Sequence, residues 1–255
     1  MILSVVIPAY NERHTIGPCL VKVLAALPHV EKEIVIVDDC SRDGTREWLL
    51  AQVDGLTGRD ACFELDEAGD ARVVRGNARF AIRVIAHERN RGKGGALQTG
   101  LGATTGDIVV IQDADLEYDP ADWAGMYDLI AVRQVADVVY GSRFYGNPHR
   151  ALYFHHFMAN RLISFLFNAL YNQTLTDIEV CYKMFTREVL HTLRLSANDF
   201  GIEVQLSAQF ALARRWRIYE MGISYFGRTY NEGKKINWKD GVKALWYLFK
   251  YRFDL

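Results

Sequence analysis

The chain has 255 residues, 50% of them apolar and 24% charged, enough for one large core or two small ones. No run of 18 or more apolar residues occurs, and Ile2-Leu3-Ser4-Val5-Val6-Ile7 has no basic region before it, so neither a transmembrane helix nor a secretory signal is expected. The net charge of −1 hides an asymmetry: residues 1–140 carry 14 Lys/Arg against 22 Asp/Glu, and residues 141–255 carry 16 against 9, so an acidic half suited to a cation precedes a basic half suited to an anion, and nucleic-acid binding is disfavoured.

In chain order, residues 3–8 are a short apolar run rich in β-branched side chains and read as a strand. Apolar residues at helical spacing over 15–27, with Thr15 as N-cap, predict a helix. Residues 33–38 (EIVIVD) read as a buried strand closing on Asp38-Asp39, 41–44 as a turn and 45–52 as a helix. Residues 83–87, 94–101, 107–112 (DIVVIQ) and 137–141 (DVVYG) continue as strand, helix, strand and strand. Near-continuous apolar strands alternating with helices predict an α/β fold with a mostly parallel sheet covered on both faces. Residues 54–79 break the rhythm. Their Gly, Asp, Glu and Arg content predicts an extended, partly mobile surface insertion.

Residues 151–171 hold 15 apolar residues out of 21, interrupted by His155, His156, Asn160, Arg161, Ser164 and Asn168. This is too polar to span a bilayer, yet more apolar than most surface helices. Residues 203–213 and 239–251 predict further helices, and 218–230 one or two strands. The helices at 151–171 and 239–251 suit two roles: core or dimer-interface packing, and an amphipathic platform on an anionic membrane surface. Cys19, Cys40, Cys62 and Cys181 are widely spaced with no C-x-x-C pair, which predicts no disulfide framework, no zinc site and a reducing cytoplasm.

In α/β sheets, ligands bind beyond the carboxyl ends of the strands. Tyr10-Asn11-Glu12, Asp38-Asp39 and Asp113-Ala114-Asp115 all fall at such ends. Carboxylates gathered on one edge repel each other unless a cation lies between them. Strand alternation turns Asp113 and Asp115 to one side, which suits Mg²⁺ or Mn²⁺ bridging to a diphosphate. Taken alone, such a pair is more often a solvated turn; the two acidic strand ends upstream favour the ligand reading. Arg91-Gly92-Lys93-Gly94-Gly95-Ala96 opens a helix with glycines, and its backbone N–H groups with Lys93 suit either an anion site or a plain capping loop. His155 and His156 read as interfacial contacts rather than metal ligands, Cys181 as a small buried residue, and Tyr225, Phe226 and Tyr230 as packing.

Together, Pro8-Ala9-Tyr10-Asn11-Glu12, Asp38-Asp39-x-Ser41-x-Asp43-Gly44-Thr45, Asn90-Arg91-Gly92-Lys93-Gly94, Asp113-Ala114-Asp115 and Gly141-Ser142-Arg143 stand in the order and spacing of family 2 glycosyltransferases. The set most resembles the polyprenyl-phosphate glycosyltransferases of the dolichyl-phosphate mannosyltransferase kind. The resemblance is dense over residues 2–145 and returns at 176–183 and 228–235. It implies a Rossmann-like GT-A fold in one continuous domain: a nucleotide-sugar half over 1–145, and an acceptor half over 146–255 with C-terminal amphipathic helices. By the same resemblance Pro8, Ala9, Tyr10, Glu12, Asp38, Asp39, Lys93, Asp113 and Ala114 bind the nucleoside diphosphate sugar. Asp113 and Asp115 hold the metal, with Glu117 standing where the family often has Gln as a further ligand. Arg143 resembles the arginine that meets the acceptor phosphate, Lys183 stands where a cation is expected, and Arg228 and Lys234 resemble the pair that embraces the diphosphate. Asp177 orients the acceptor or pairs with an arginine. Val180 and Cys181 depart from the family's small polar residue and glycine.

The implied activity is transfer of one sugar from GDP-mannose or a UDP-hexose to a dolichyl or undecaprenyl phosphate, by a peripheral protein on the cytoplasmic face of a membrane. A phosphate monoester, with a second pKa of about 6, is largely dianionic at neutral pH and needs no general base. Metal-dependent, in-line displacement with inversion is therefore expected, with Arg143, Arg161, Lys183, Arg228 and Lys234 supplying positive charge. A family 2 enzyme acting on a hydroxyl would need Glu203 or Asp177 as base. A nucleotidyltransferase would carry a longer glycine-rich start, and a non-catalytic nucleotide-sugar or lipid-binding protein would have lost some of Asp113, Asp115, Arg228 and Lys234. A homodimer pairing two basic faces would add avidity at a membrane.

Overall fold

The computed structural model describes residues 1–146, 148–151, 153–229 and 238–253, apart from the side chains of 238–240. Among the described residues eight strands form one sheet: β1 (Ile2–Ala9), β2 (Glu31–Asp38), β3 (Thr57–Leu65), β4 (Ala71–Ala86), β5 (Ile108–Ile111), β6 (Val138–Ser142), β7 (Lys183–Thr186) and β8 (Ile218–Gly222). Their order is β3-β4-β2-β1-β5-β7-β6-β8. β1 pairs in parallel with both β2 and β5, with Val6 opposite Val35 and Ile111. The chain winds outward from β1 in both directions, and such a reversal opens a crevice beyond the strand ends. Val5, Val6, Ile34, Ile36, Val109 and Val110 are all fully buried, as two-sided burial of a mostly parallel sheet requires.

Helices α1 (Ile16–Ala25), α2 (Thr45–Gln52), α3 (Gly92–Ala103), α4 (Trp123–Tyr127), α5 (Phe154–Tyr171), α6 (Arg187–Thr192), α7 (Gly201–Leu212) and α8 (Trp238–Phe253) connect or flank the strands. Most predicted elements stand within two or three residues of their expected bounds, and α2 matches at both ends. Thr15 sits at the α1 N-cap but does not cap it; its hydroxyl donates to the Glu12 carboxylate at 2.6 Å.

Residues 54–79, expected as an extended, partly mobile surface insertion, are largely regular strand. β3 and the first half of β4 form an antiparallel ribbon that extends the sheet edge, with a bulge at Ala61. Ala61, Phe63, Ala78, Phe80 and Ile82 are its buried residues. At the bulge the strands cross so closely that a Cβ on Gly76 would lie 2.5 Å from Cys62 N, so glycine is required. Glycines and dense charges masked the alternation that marks a strand, which β4 keeps from Val74 to Val84. β7 was also missed, because four residues paired antiparallel with both β5 and β6 carry no periodic signal of their own.

The second half ends in two packed helices. α5 buries Ile163, Phe167 and Tyr171 at four-residue spacing, α8 buries Ala244, Leu248 and Tyr251, and the Tyr171 hydroxyl donates to Leu248 O at 2.8 Å. Away from that contact α5 exposes Phe154, Phe157, Met158, Leu162 and Phe165, and α8 exposes Val242, Trp246, Phe249 and Phe253. No helix among the described residues is long and apolar enough to cross a membrane.

Candidate active site

A cleft of about 1110 Å³ opens over the carboxyl ends of β1, β2 and β5 and runs on between α5 and α8. Of the sequence-predicted residues, Pro8, Ala9, Tyr10, Glu12, Asp39, Lys93, Asp113, Ala114, Asp115, Glu117, Arg143 and Arg228 line it. Asp38, Asp177 and Lys183 do not; all three are fully buried. Lys234 and Tyr230 lie outside the described residues.

At the β5 end, Arg228 ties together acids from two strand ends. Its Nη2 donates to Asp115 Oδ2 at 2.7 Å, and its backbone N and Nε donate to Glu117 Oε1 at 3.0 and 3.1 Å. Its Nη1 stands 3.6 Å from Glu12 Oε2. The Tyr225 hydroxyl donates to the other Glu117 oxygen at 2.9 Å, and Lys93 Nζ lies 2.8 Å from Asp113 Oδ1. Burial first, then the Asp113 and Glu117 carboxylates, push Asp115 up to about 7 against the pull of Arg228. A carboxyl raised by its carboxylate neighbours lacks positive charge, and the oxygen donors Asp113 and Asp115 fit a hard divalent cation. Glu117, expected as a further ligand, has both oxygens engaged by Arg228 and Tyr225. Among the described residues no group of three or more His, Cys, Asp or Glu side chains is gathered as a metal site, so a metal here would share its coordination with the diphosphate and water.

The glycine-rich opening of α3 is a joint rather than an anion cradle. The N–H groups of Gly94 and Gly95 donate to Asn198 O at 2.9 and 3.2 Å. A Cβ at Gly92 would collide with that carbonyl, and one at Gly94 with the Ala197 carbonyl. Arg91 N and Gly92 N donate to the Asp39 carboxylate at 2.8 and 2.7 Å, and His87 Nδ1 meets Asp39 Oδ1 at 2.7 Å. Asp39 therefore lines the cleft while clamping β2 to the start of α3. Asp38 faces away and pairs with Arg46 at 2.7 Å, so its expected place on the nucleotide is not supported.

At the other end, Arg143 follows β6 and grips Asp177 through two parallel bonds of 2.7 Å, Nε to Oδ2 and Nη2 to Oδ1. Of the two readings of Asp177, pairing with an arginine is the one the geometry supports. Lys183 donates to Glu203 Oε2 at 2.5 Å and to the Val180 carbonyl, and no part of it is exposed. It holds Glu203 in place and cannot reach an anion in the cleft. Glu203 lines the cleft, and its other oxygen stands 3.2 Å from Lys93. Arg161, expected among the cations, is exposed and lies outside the cleft lining, while Arg150, which the reading overlooked, lines the cleft and donates to Gly227 O at 3.1 Å. Tyr118 and Phe200, which carried no motif, also line it, as does Glu179 from the 176–183 stretch, to which no role was given. Cys181 is buried and its thiol is pushed well up, chiefly by burial, as an inert core residue requires.

An acidic crevice at the switch point of a mostly parallel sheet, with the antiparallel β7 inserted between β5 and β6, is the GT-A architecture of nucleotide-sugar-dependent transferases. The profile of Glycosyl transferase family 2 matches residues 4–194, and the chain belongs to that family. Its curated relatives are polyprenyl-phosphate sugar transferases. It is 31% identical over 144 residues to a dodecaprenyl-phosphate galacturonate synthase of Rhizobium johnstonii, covering 55% of this chain and 36% of the relative. It is 30% identical over 144 residues to a dolichol-phosphate mannosyltransferase of Pyrococcus furiosus, covering 56% and 34%. The chain thus spans about a third of the length of these two relatives. Among solved structures, the glucosyl-3-phosphoglycerate synthase of Mycobacterium tuberculosis, in complex with Mn²⁺, UDP-glucose and phosphoglyceric acid, superposes with a TM-score of 0.67 at 20% identity, over 98% of this chain and 79% of that one; this likeness shows the shared fold.

Proposed function

We propose that the chain transfers a single sugar from a nucleoside diphosphate sugar, GDP-mannose or a UDP-hexose, to a polyprenyl phosphate at a membrane surface, with inversion. The carrying observation is the continuity of the cleft. Its carboxylate edge suits a donor diphosphate with its cation, Arg143 and Arg150 follow, and beyond them the wall is apolar, with Phe157, Leu162, Ile163, Val242 and Leu245. A long ligand with an anionic head and a hydrocarbon tail matches that sequence of surfaces. The exposed apolar sides of α5 and α8 lie beside it with the exposed Arg161 and with Lys250 over the Trp246 ring, and would seat the protein among anionic headgroups while the lipid tail stays in the bilayer.

Residues Pro8, Tyr10, Glu12 and Asp39 would hold the nucleoside. Asp113 and Asp115 would hold Mg²⁺ or Mn²⁺, which supplies charge neutralisation on the diphosphate as its bond to the sugar breaks. Arg228 sits beside those carboxylates and can turn its guanidinium to the same diphosphate. Arg143, held flat by Asp177, presents its remaining N–H groups to the acceptor phosphate, whose oxygen attacks the anomeric carbon opposite the leaving diphosphate. The hydroxyl-acceptor alternative is weakened by the state of its two named bases, since Asp177 is locked to Arg143 and Glu203 to Lys183.

The test is transfer of labelled sugar into an organic phase from a panel of GDP- and UDP-sugars, with Mg²⁺ or Mn²⁺, with and without polyprenyl phosphate. Label is expected in the lipid only when the acceptor is present, and Asp115→Asn is expected to reduce the rate by about 10²–10³. Donor binding without any lipid product would overturn the acceptor assignment.

A further inference from the structure

Glu179 lies on the loop between Asp177 and β7, partly buried, and lines the same cleft as Arg143 and Glu203. Among the described residues it makes no hydrogen bond or ion pair. Four charged groups face it: Arg143 after β6, Asp177 on its own loop, Lys183 in β7 and Glu203 in α7. These are already matched with each other. Arg143 is committed to Asp177, Lys183 to Glu203, and Lys93 is shared between Glu203 and Asp113. Glu179 is left as a negative charge without a counter-ion, at the place where the proposed acceptor brings two more.

We propose that Glu179 takes up a proton from solvent as a phosphate monoester enters beside Arg143, and donates a hydrogen bond to a phosphate oxygen. This rests on the phosphate-acceptor reading of the cleft. Two like charges in a water-poor pocket cannot both persist, and the carboxyl without a cation is the one that yields. Burial, reinforced by Asp177 and Glu203 and opposed by Arg143 and Lys183, already raises Glu179 to about 7, so the uptake is poised near neutrality. A carboxylic acid donates one hydrogen bond where a carboxylate donates none. Transfer turns the monoester dianion into a diester monoanion; the local charge falls by one and Glu179 returns its proton to solvent. The residue thus ties acceptor capture to pH and favours the unsubstituted phosphate over the finished product.

The experiment is calorimetric titration of the full chain with farnesyl phosphate between pH 7.5 and 9, in buffer pairs of different ionisation heat. A group that must be protonated loses competence as pH rises, so affinity is expected to fall about 20-fold across that range, with proton uptake approaching one per acceptor bound. Glu179→Gln, a neutral donor of similar shape, is expected to bind with no pH slope and no uptake. Glu179→Asp, which keeps the proton, is expected to retain the slope at lower affinity. Equal uptake in wild type and Glu179→Gln, or no uptake in wild type, overturns the proposal. So does a 100-fold fall in kcat for Glu179→Gln at unchanged acceptor affinity, which would make the residue a general base. Failure of every variant and of wild type to bind farnesyl phosphate, with transfer to a hydroxyl acceptor instead, would refute the underlying phosphate-acceptor reading separately.

Discussion

Lys183 and Glu203 meet beneath the cleft, the lysine with no exposed surface, and that placement decides what each can do. A cation expected to face substrate is instead a buried strut. Removing one member of such a pair strands the other charge, so Lys183→Met is expected to cost about 3–5 kcal/mol of stability, read from urea unfolding at pH 7. Lys93 keeps one Glu203 oxygen company, which places the loss toward the lower end of that range. Arg143 shows the converse. Its motif marked it for an anion, and the structure keeps it in the cleft while Asp177 fixes the plane of its guanidinium. Residue type was legible here; which face of the strand end each residue takes, and which partner it meets, was not.

Among the elements, the ribbon of β3 and β4 and the pair α5 and α8 show opposite kinds of legibility. The ribbon hid although Val74, Gly76, Ala78, Phe80, Ile82 and Val84 alternate with exposed, mostly polar neighbours, because its glycines and dense charges read as a loop and its bulge shifts only the pairing. The helices were plain in the pattern, but their role was open between packing and a membrane platform. Their buried stripes account for only part of their apolar surface, and the rest faces outward. If that face docks on lipid, Phe165→Glu with Trp246→Glu is expected to lower binding to anionic vesicles at least tenfold, since each lost aromatic contact is worth about 1.5–3 kcal/mol. Nucleotide-sugar binding, at the far end of the cleft, is expected to be unchanged. Vesicle co-sedimentation beside calorimetry of donor binding checks both arms, and equal loss in both would point to unfolding instead.

For the whole molecule, the acidic first half and basic second half meet in the cleft: Glu12, Asp113, Asp115 and Glu117 come from the first, Arg143, Arg150 and Arg228 from the second, while Lys93, Glu179 and Glu203 run against that division. A surface attraction of that kind is screened by salt. Raising ionic strength from about 0.1 M toward 1 M shortens the Debye length from about 10 to about 3 Å, and vesicle binding is expected to fall several-fold, a change that neutral vesicles should not show. The sequence by itself determined the sheet class, the strand-end acids and the family, because apolar periodicity and strand-end motifs are local, spanning a few residues each. Tertiary structure alone decided the ion pairs that assign those charges: Arg228 to Asp115 across 113 residues, Arg143 to Asp177 across 34, Lys183 to Glu203 across 20, and Glu179 left over. Charge compensation in a buried site depends on distances of a few ångströms, and no spacing along the chain encodes them.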